Sequence, residues 1–305
     1  MKYVFFGTPE FAAIVLKKLI NAGYIPEAVV CNPDEPVGRK QILTPPPVKS
    51  FIMKHETWNI PVLQPKKLDK NFKFQVSSFK FDLAIVAAYG KIIPEEILDI
   101  PSRGFINVHG SLLPAYRGAS PIQYTILNGD KETGVTIMEV DEEMDHGPII
   151  LKSECEISNE DTFESLSQKL AILGAELLIK VIPDYISGKI KPIEQNHSKA
   201  TYTKIIKKED GKIDWSKSAE EIERMTRAFY PWPATWTIWN GKNLRVLKAG
   251  ILENKNNQQI GKGFLADGNL IVKCGKDNLV IKKLQLEGGK ILSAKEFLNG
   301  HKDFI

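Results

Sequence analysis

Apolar residues in the first third of the chain fall into short runs separated by helical patterns. Tyr3 to Phe6 form one such run, which stops at Gly7. Thr8 suits the cap of a helix, Pro9 its first position and Glu10 its positive end. Phe11, Ile14, Val15, Leu19 and Ile20 then recur at helical spacing, and residues 28–31 are apolar again. Strand, helix and strand within about thirty residues predict a βαβ unit, and so an α/β domain with a parallel sheet. The pattern continues with a helix over 48–55, a strand over 60–63, a weaker helix over 70–79 and an apolar strand over 83–87. Phe105, Ile106 and Val108 open a further strand that breaks at Gly110. Ser120 and Pro121 predict a helix start, and Asn128-Gly129 its end. Residues 134–140 and 148–152 read as two strands around an acidic turn. Thr162 opens a long amphipathic helix to about Ile182.

After Gly188 the texture changes. Residues 189–205 are polar and lysine-rich, as in a linker between domains. Ser218 and Glu221 form a capping box, and Pro231-Trp232-Pro233 breaks the helix that follows. Short β patterns at 235–239, 244–247, 269–274 and 278–286, with a last helix at 294–298, predict a small barrel. The expected division is therefore a domain over 1–188, a linker over 189–205 and a second domain over 206–305.

Composition adds little until it is divided. The 305 residues are 43% hydrophobic and 26% charged, as in an ordinary soluble protein. Three cysteines, Cys31, Cys155 and Cys274, show no CxxC spacing, so neither a zinc site nor a disulfide framework is indicated, and a reduced cytoplasmic setting fits. The opening apolar run is too short for a signal segment or a membrane span. GTPEF follows the first strand in place of GxGxxG, so a dinucleotide site has little support. The net charge of +4 is uneven: residues 1–205 carry 23 Lys and Arg against 25 acids, and residues 206–305 carry 18 against 12. A basic second domain suits a polyanionic partner, and equally a merely soluble surface.

Chemistry concentrates in FINVHGSLLPAYRG at 105–118 and EVDEEMDHG at 139–147. Asn107 and His109 are two apart, so on a strand they share a side, at the carboxyl end where open α/β sheets place their sites. An amide, an imidazole and a carboxylate are the parts needed to move an acyl group. Spacing does not choose among Asp141, Glu142, Glu143 and Asp145. It places no Ser, Cys or Lys nucleophile, so direct transfer and a covalent relay both stay open. A structural histidine and a solvated turn are the plain alternatives. The Pro-rich loop 32–47, with Arg39 and Lys40 at its middle, is too long for a minimal βα turn.

NVHGSLLPAYRGASPIQ, then GVTIM, then MDHG resembles the signature of the 10-formyltetrahydrofolate-dependent formyltransferases. The resemblance implies that Asn107, His109 and Asp145 are catalytic. It also implies that Ser111, Leu112, Leu113 and Pro114 form the folate-site motif, and that Tyr89, Gly90, Ile92 and Ile93 border the pterin pocket. NPDEPVGRK…PPPVK is similar to the loop that members acting on methionyl-tRNA insert against the acceptor end, with Arg39 as its basic residue and Lys40 beside it. KKEDGKIDWSKSAEEIERMTRAFYPWPATW resembles the OB-like C-terminal domain of those members, which glycinamide ribonucleotide formyltransferases lack. One departure is MDHGPII, where many bacterial members carry MDTGD or MDAGD. The implied protein has a Rossmann-like α/β domain and an OB-like barrel. It is a cytoplasmic, monomeric enzyme that needs no metal. It would take 10-formyltetrahydrofolate as co-substrate and initiator methionyl-tRNA as acceptor. The alternatives are another formyltransferase of this group, or a non-catalytic RNA-binding protein.

Overall fold

A computed structural model describes residues 1–38, 40–253 and 258–301. The chain forms two compact units. The first comprises Met1–Pro121, Glu132–Glu156 and Ser167–Thr203. Its opening elements are β1 (Tyr3–Gly7), α1 (Glu10–Asn21) and β2 (Ala28–Val30). A hairpin of β3 (Glu35–Val37) and β4 (Ile42–Thr44) follows, then α2 (Pro47–Met53), β5 (Val62–Leu63), α3 (Lys70–Ser77), β6 (Leu83–Ala87), α4 (Glu95–Leu98) and β7 (Phe105–His109). Next come the short β8 (Arg117–Gly118), α5 (Pro121–Asn128), the antiparallel pair β9 (Glu132–Glu139) and β10 (Ile149–Glu156), α6 (Phe163–Ile186) and the short β11 (Tyr202–Thr203).

Seven strands make one sheet in the order β10-β9-β7-β6-β1-β2-β5. From β7 to β5 every pairing is parallel; β9 then pairs antiparallel with β7. The chain winds outward from β1 to β5, then returns to the other side of β1 with β6. The direction of winding therefore reverses between β1 and β6, and the crevice outside the carboxyl ends of these strands is where such sheets bind ligands. Both faces of β1 and β6 are covered, and every residue in them is buried. That is why they read as continuous apolar runs rather than alternating ones. On one face Val4, Phe6, Val86 and Phe105 pack with Phe72 and Val76 of α3, and with Tyr89 and Ile93 from the loop after β6.

One local expectation needs correction. Pro9, not Thr8, is the cap residue of α1, and its backbone is extended. The Thr8 hydroxyl is taken elsewhere: it accepts the Asn32 N–H at 3.2 Å, tying the ends of β1 and β2 together. Within the Pro-rich loop, β3 and β4 pair antiparallel, and their Val37, Ile42 and Leu43 are exposed. The root of this hairpin is clamped where Lys49 Nζ donates to Asp34 at 2.8 Å and to Gln64 Oε1 at 2.8 Å.

Polar composition also conceals how residues 189–203 pack. Ile193 and Ile149 bond to each other through both backbone pairs, and β11 pairs in parallel with β8. Thr201 accepts the Tyr116 N–H through its hydroxyl and the Arg117 N–H through its carbonyl, each at 2.8 Å.

The second unit comprises Ile122–Lys131, Ile157–Leu166 and Lys204–Ile305. Here α7 (Ala219–Ala228) is opened by the Ser218–Glu221 capping box read from the sequence. The strands are β12 (Thr235–Trp239), β13 (Lys242–Leu252), β14 (Gly263–Ala266), β15 (Asn269–Lys273), β16 (Asn278–Leu286) and β17 (Ile291–Ser293), and α8 (Ala294–Gly300) closes the described chain. They form an antiparallel sheet in the order β12-β13-β16-β15-β14, with β17 paired to β16. Ile222 of α7 and Phe297 of α8 pack with Leu244, Val246, Leu270 and Leu284 in its core. Among the described residues, no helix is long and apolar enough to cross a membrane.

Candidate active site

The end of β7 and the turn between β9 and β10 bring the three chemically distinct side chains together. Asn107 lies opposite Met138 and His109 opposite Thr136, so the β7–β9 pairing sets the height of both. Asp145, in the turn, is reached by both. Its Oδ1 accepts Asn107 Nδ2 at 3.4 Å and lies 3.4 Å from His109 Nδ1. Its Oδ2 accepts the Gly118 N–H at 2.7 Å. Asp145 has a φ of +52°, in the left-handed region that Asp tolerates better than most residues. Of the four acids of the run, Asp145 is the one that the turn brings to Asn107 and His109. Asp141 instead accepts from His146 Nδ1 at 2.7 Å, and Glu142 and Glu143 are exposed.

His109 is buried and has an acceptor on each side. Nδ1 faces the Asp145 carboxylate, and Nε2 lies 3.1 Å from the Tyr116 carbonyl. Neither an ionised carboxylate nor a carbonyl can donate, so only the imidazolium, with two N–H groups, satisfies both. The electrostatics agree. Burial works against the charge, but the Asp145 carboxylate, its hydrogen bond and the Tyr116 carbonyl outweigh it, and the His109 pKa is raised although Arg117 repels the proton. Burial likewise favours protonation of Asp145. The charge and hydrogen bond of His109, the Gly118 N–H and the Arg117 cation together hold its pKa below the ordinary value.

The loop after β7 is held rigidly. Ser111 Oγ donates to the Ala115 carbonyl at 2.6 Å, and the Thr136 hydroxyl donates to the Ser111 carbonyl at 2.7 Å while accepting the Leu113 N–H. Ser111 and Leu113 are buried, Leu112 and Pro114 partly so. The loop after β6 divides in two. Tyr89 and Ile93 are core residues, Tyr89 packing edge-on against Phe6 at 5.4 Å, and burial drives its hydroxyl pKa well up. Ile92 is 71% exposed and Gly90, with a φ of +79°, has open space beside it. Any contact with a flat ring therefore falls to Ile92 and to the backbone around Gly90. Val86 pairs with Asn107, so this loop leaves the sheet next to the strand that carries the site. Lys40 is an exposed turn residue, and Arg39 lies outside the described residues.

Several residues at the site were not singled out in the sequence. Tyr116 and Gly118 lay inside the long motif, but nothing in spacing gave the first a carbonyl role or the second an N–H role. Gly118 has a φ of +109°, and a Cβ there would meet the Thr203 carbonyl oxygen at 2.6 Å. Arg117 is a buried cation beside the pair. Gln195 had no signal at all.

A buried imidazole facing a carboxylate, with a carboxamide beside them, stands at the carboxyl edge of a doubly wound sheet, and these are the parts that acyl transfer needs. The family model described as "Formyl transferase" matches residues 1–182, and that described as "Formyl transferase, C-terminal domain" matches residues 205–302. The chain belongs to the formyl transferase family. Within it, the chain is similar to the methionyl-tRNA formyltransferases. That of Bacillus velezensis is 45% identical over 302 residues, which span 98% of this chain and 94% of the relative. Solved structures share the fold at lower identity. An N-formyltransferase from Helicobacter canadensis, in complex with folinic acid and dTDP-3-aminofucose, matches with a TM-score of 0.68 and 19% identity, over 92% of this chain and 98% of that one. HypX from Aquifex aeolicus, in complex with tetrahydrofolic acid, matches with a TM-score of 0.66 and 15% identity, over 98% of this chain and 47% of that longer one.

Proposed function

We infer that this chain transfers the formyl group of 10-formyltetrahydrofolate to the α-amino group of methionine carried on initiator tRNA. The observation that carries the reading is buried His109, held between the Asp145 carboxylate and the Tyr116 carbonyl beside Asn107. Near-full-length similarity to methionyl-tRNA formyltransferases supports the choice of acceptor. The neutral amine attacks the formyl carbon, and negative charge gathers on the formyl oxygen. Asn107 Nδ2 and an N–H of His109 are the donors that meet it. Collapse breaks the carbon–N10 bond; N10 gains a proton and the former amine loses one. Asp145, His109 or an ordered water relays that proton, and before transfer the ionised Asp145 carboxylate favours the charged form of His109.

Ser111, Leu112, Leu113 and Pro114, with Gly90 and Ile92, are the folate side of the site, and Tyr89 and Ile93 support that side from the core. Exposed Ile92 and the open backbone at Gly90 suit a flat heterocycle with polar edges. Arg39 and Lys40, in the Pro-rich loop 32–47, contact the acceptor arm. Residues 1–188 form the catalytic domain, 189–205 the connection and 206–305 the OB-like tRNA-binding domain, whose basic surplus fits a polyanion. The enzyme acts as a cytoplasmic monomer. The test is formyl transfer from labelled 10-formyltetrahydrofolate to purified methionyl-tRNA. Label in acid-precipitable tRNA is expected; folded protein that binds folate but leaves methionyl-tRNA unlabelled would overturn the acceptor.

A further inference from the structure

Gln195 lies in a stretch that reads as linker, yet it is only 5% exposed and its amide is fully engaged. Nε2 donates to the Asp145 carbonyl at 3.0 Å and to the Gly147 carbonyl at 2.7 Å. Oε1 accepts from Arg117, at 3.2 Å from Nε and 2.6 Å from Nη2. The orientation of the amide is forced. Turned over, it would set NH₂ against a guanidinium and oxygen against two carbonyls. Arg117, 2% exposed, is held in turn by His197 Nδ1, 2.8 Å from Nη2. Arginine only donates, so that nitrogen of His197 carries a lone pair. The His197 ring stacks on His146 at 4.1 Å with planes 7° apart, and His146 is bonded to Asp141. The acidic turn is therefore gripped from both flanks. Gln195 takes the backbone of 145 and 147, and the imidazole stack takes 146.

We propose that Gln195 is a positioning residue for the formyl-transfer site, and that Arg117 and His197 complete its support. Asp145 holds a left-handed backbone, and its carboxylate can lie between His109 and the Gly118 N–H only while that backbone stays turned. Gln195 holds it there by binding the carbonyls on either side of the 145–147 turn. Through Asp145 it sets the charge and aim of His109. This inference rests on the catalytic reading above.

The test uses the full-length enzyme. Gln195→Met keeps the volume and adds no charge but removes both donors and the acceptor. A misplacement of about 1 Å in a reacting group costs on the order of 100-fold in rate, so kcat is expected to fall about 10- to 100-fold with both KM values within about twofold. The imidazole titration of His109, followed by NMR and assigned by its absence in His109→Ala, is expected to move to lower pH. Exposed His197 gives a second variant that leaves the buried amide alone. His197→Leu is expected to lower kcat about three- to tenfold, and His197→Asn, whose Oδ1 replaces Nδ1 as acceptor for Arg117, to restore most of it. A Gln195→Met enzyme with unchanged kcat overturns the proposal. So does a loss of rate with an unmoved His109 titration, because that would be a structural effect that bypasses Asp145. Should Gln195→Met fail to fold, a His197→Leu enzyme with wild-type rate and titration overturns it instead. If the wild type fails to formylate methionyl-tRNA, the functional reading falls, while the titration still tests the positioning.

Discussion

Replacing Asp145 by Asn removes the charge and one of two acceptor oxygens, so an NH₂ faces either the Gly118 N–H or the Asn107 and His109 donors. The amide fills the space of the carboxylate, and Asn accepts a φ of +52° as readily as Asp does. The larger loss is the attraction between the carboxylate and a protonated His109, 3.4 Å apart. Two unit charges at that separation attract by about 5 kcal/mol at an effective dielectric constant of ~20. The influences left in the variant are burial, which opposes the charge on His109, the Tyr116 carbonyl, which favours it, and Arg117, which repels it. With the carboxylate gone, burial and Arg117 are opposed only by a neutral carbonyl, so the His109 pKa is expected to fall. Losing a correctly protonated acid–base group costs about 10²–10⁴ in rate. Initial rates of formyl transfer at saturating folate and methionyl-tRNA read that loss directly. Circular dichroism checks that the fold is retained. The decisive measurement is the NMR titration of the His109 ring. An imidazole that titrates at the same pH in variant and wild type would refute the electrostatic role of Asp145, whatever the rate.

Three further outcomes are expected. His109→Ala should slow transfer about a hundredfold or more while folate binding, measured by fluorescence, changes little; a rate within a few-fold of wild type would return His109 to a structural part. Stability carries the same signature: the raised His109 contributes fully below about pH 6.5 and fades as pH rises through its folded value, and the depressed Asp145 contributes fully above about pH 3.9 and fades as pH falls through its own. Urea unfolding of wild type against Asp145→Asn should differ most between about pH 4 and 6.5, and a difference that does not vary with pH would contradict the ion pair. Arg39→Ala should impair use of methionyl-tRNA through KM, kcat or both, Lys40→Ala less so, both effects shrinking at high salt with folate affinity unchanged; unaltered kinetics for Arg39→Ala at low salt would remove the loop 32–47 from the tRNA contact.

Much of the sheet could be read from the chain because its strands are buried on both faces, and such strands announce themselves as unbroken apolar runs. The acidic turn between β9 and β10 was equally plain, since two strands flank it. What spacing could not supply was the choice of Asp145 among four acids. That choice depends on a backbone turned to positive φ and on the Gly118 N–H, and neither leaves a trace in residue type. Resemblance named Asp145, and the geometry gives the physical reason. Thr8 misled because its hydroxyl was free to serve either a helix end or the neighbouring strand, and Asn32 decided between them. The strands β14 and β17 were missed because each is short and joins the sheet by pairing along one edge. Gln195 was invisible for a different reason. A glutamine amide is equally at home on a wet surface, and only the carbonyls of 145 and 147, about fifty positions away in sequence, make it a buried one.

In the proposed reaction, the second acceptor on His109 has a consequence for selectivity between reaction stages. The Tyr116 carbonyl already holds the Nε2 proton at 3.1 Å. A formyl oxygen arriving as a neutral carbonyl offers that proton nothing better than it has, so the exchange is close to even and the bound co-substrate gains little from it. An oxygen that has taken on negative charge is a far stronger acceptor, and draws the proton away from Tyr116. The histidine is thus not an open hand awaiting any oxygen. It is a donor with a standing engagement, released only to the species whose formation is to be hastened. Binding energy withheld from the ground state and granted to the tetrahedral stage raises kcat rather than merely lowering KM.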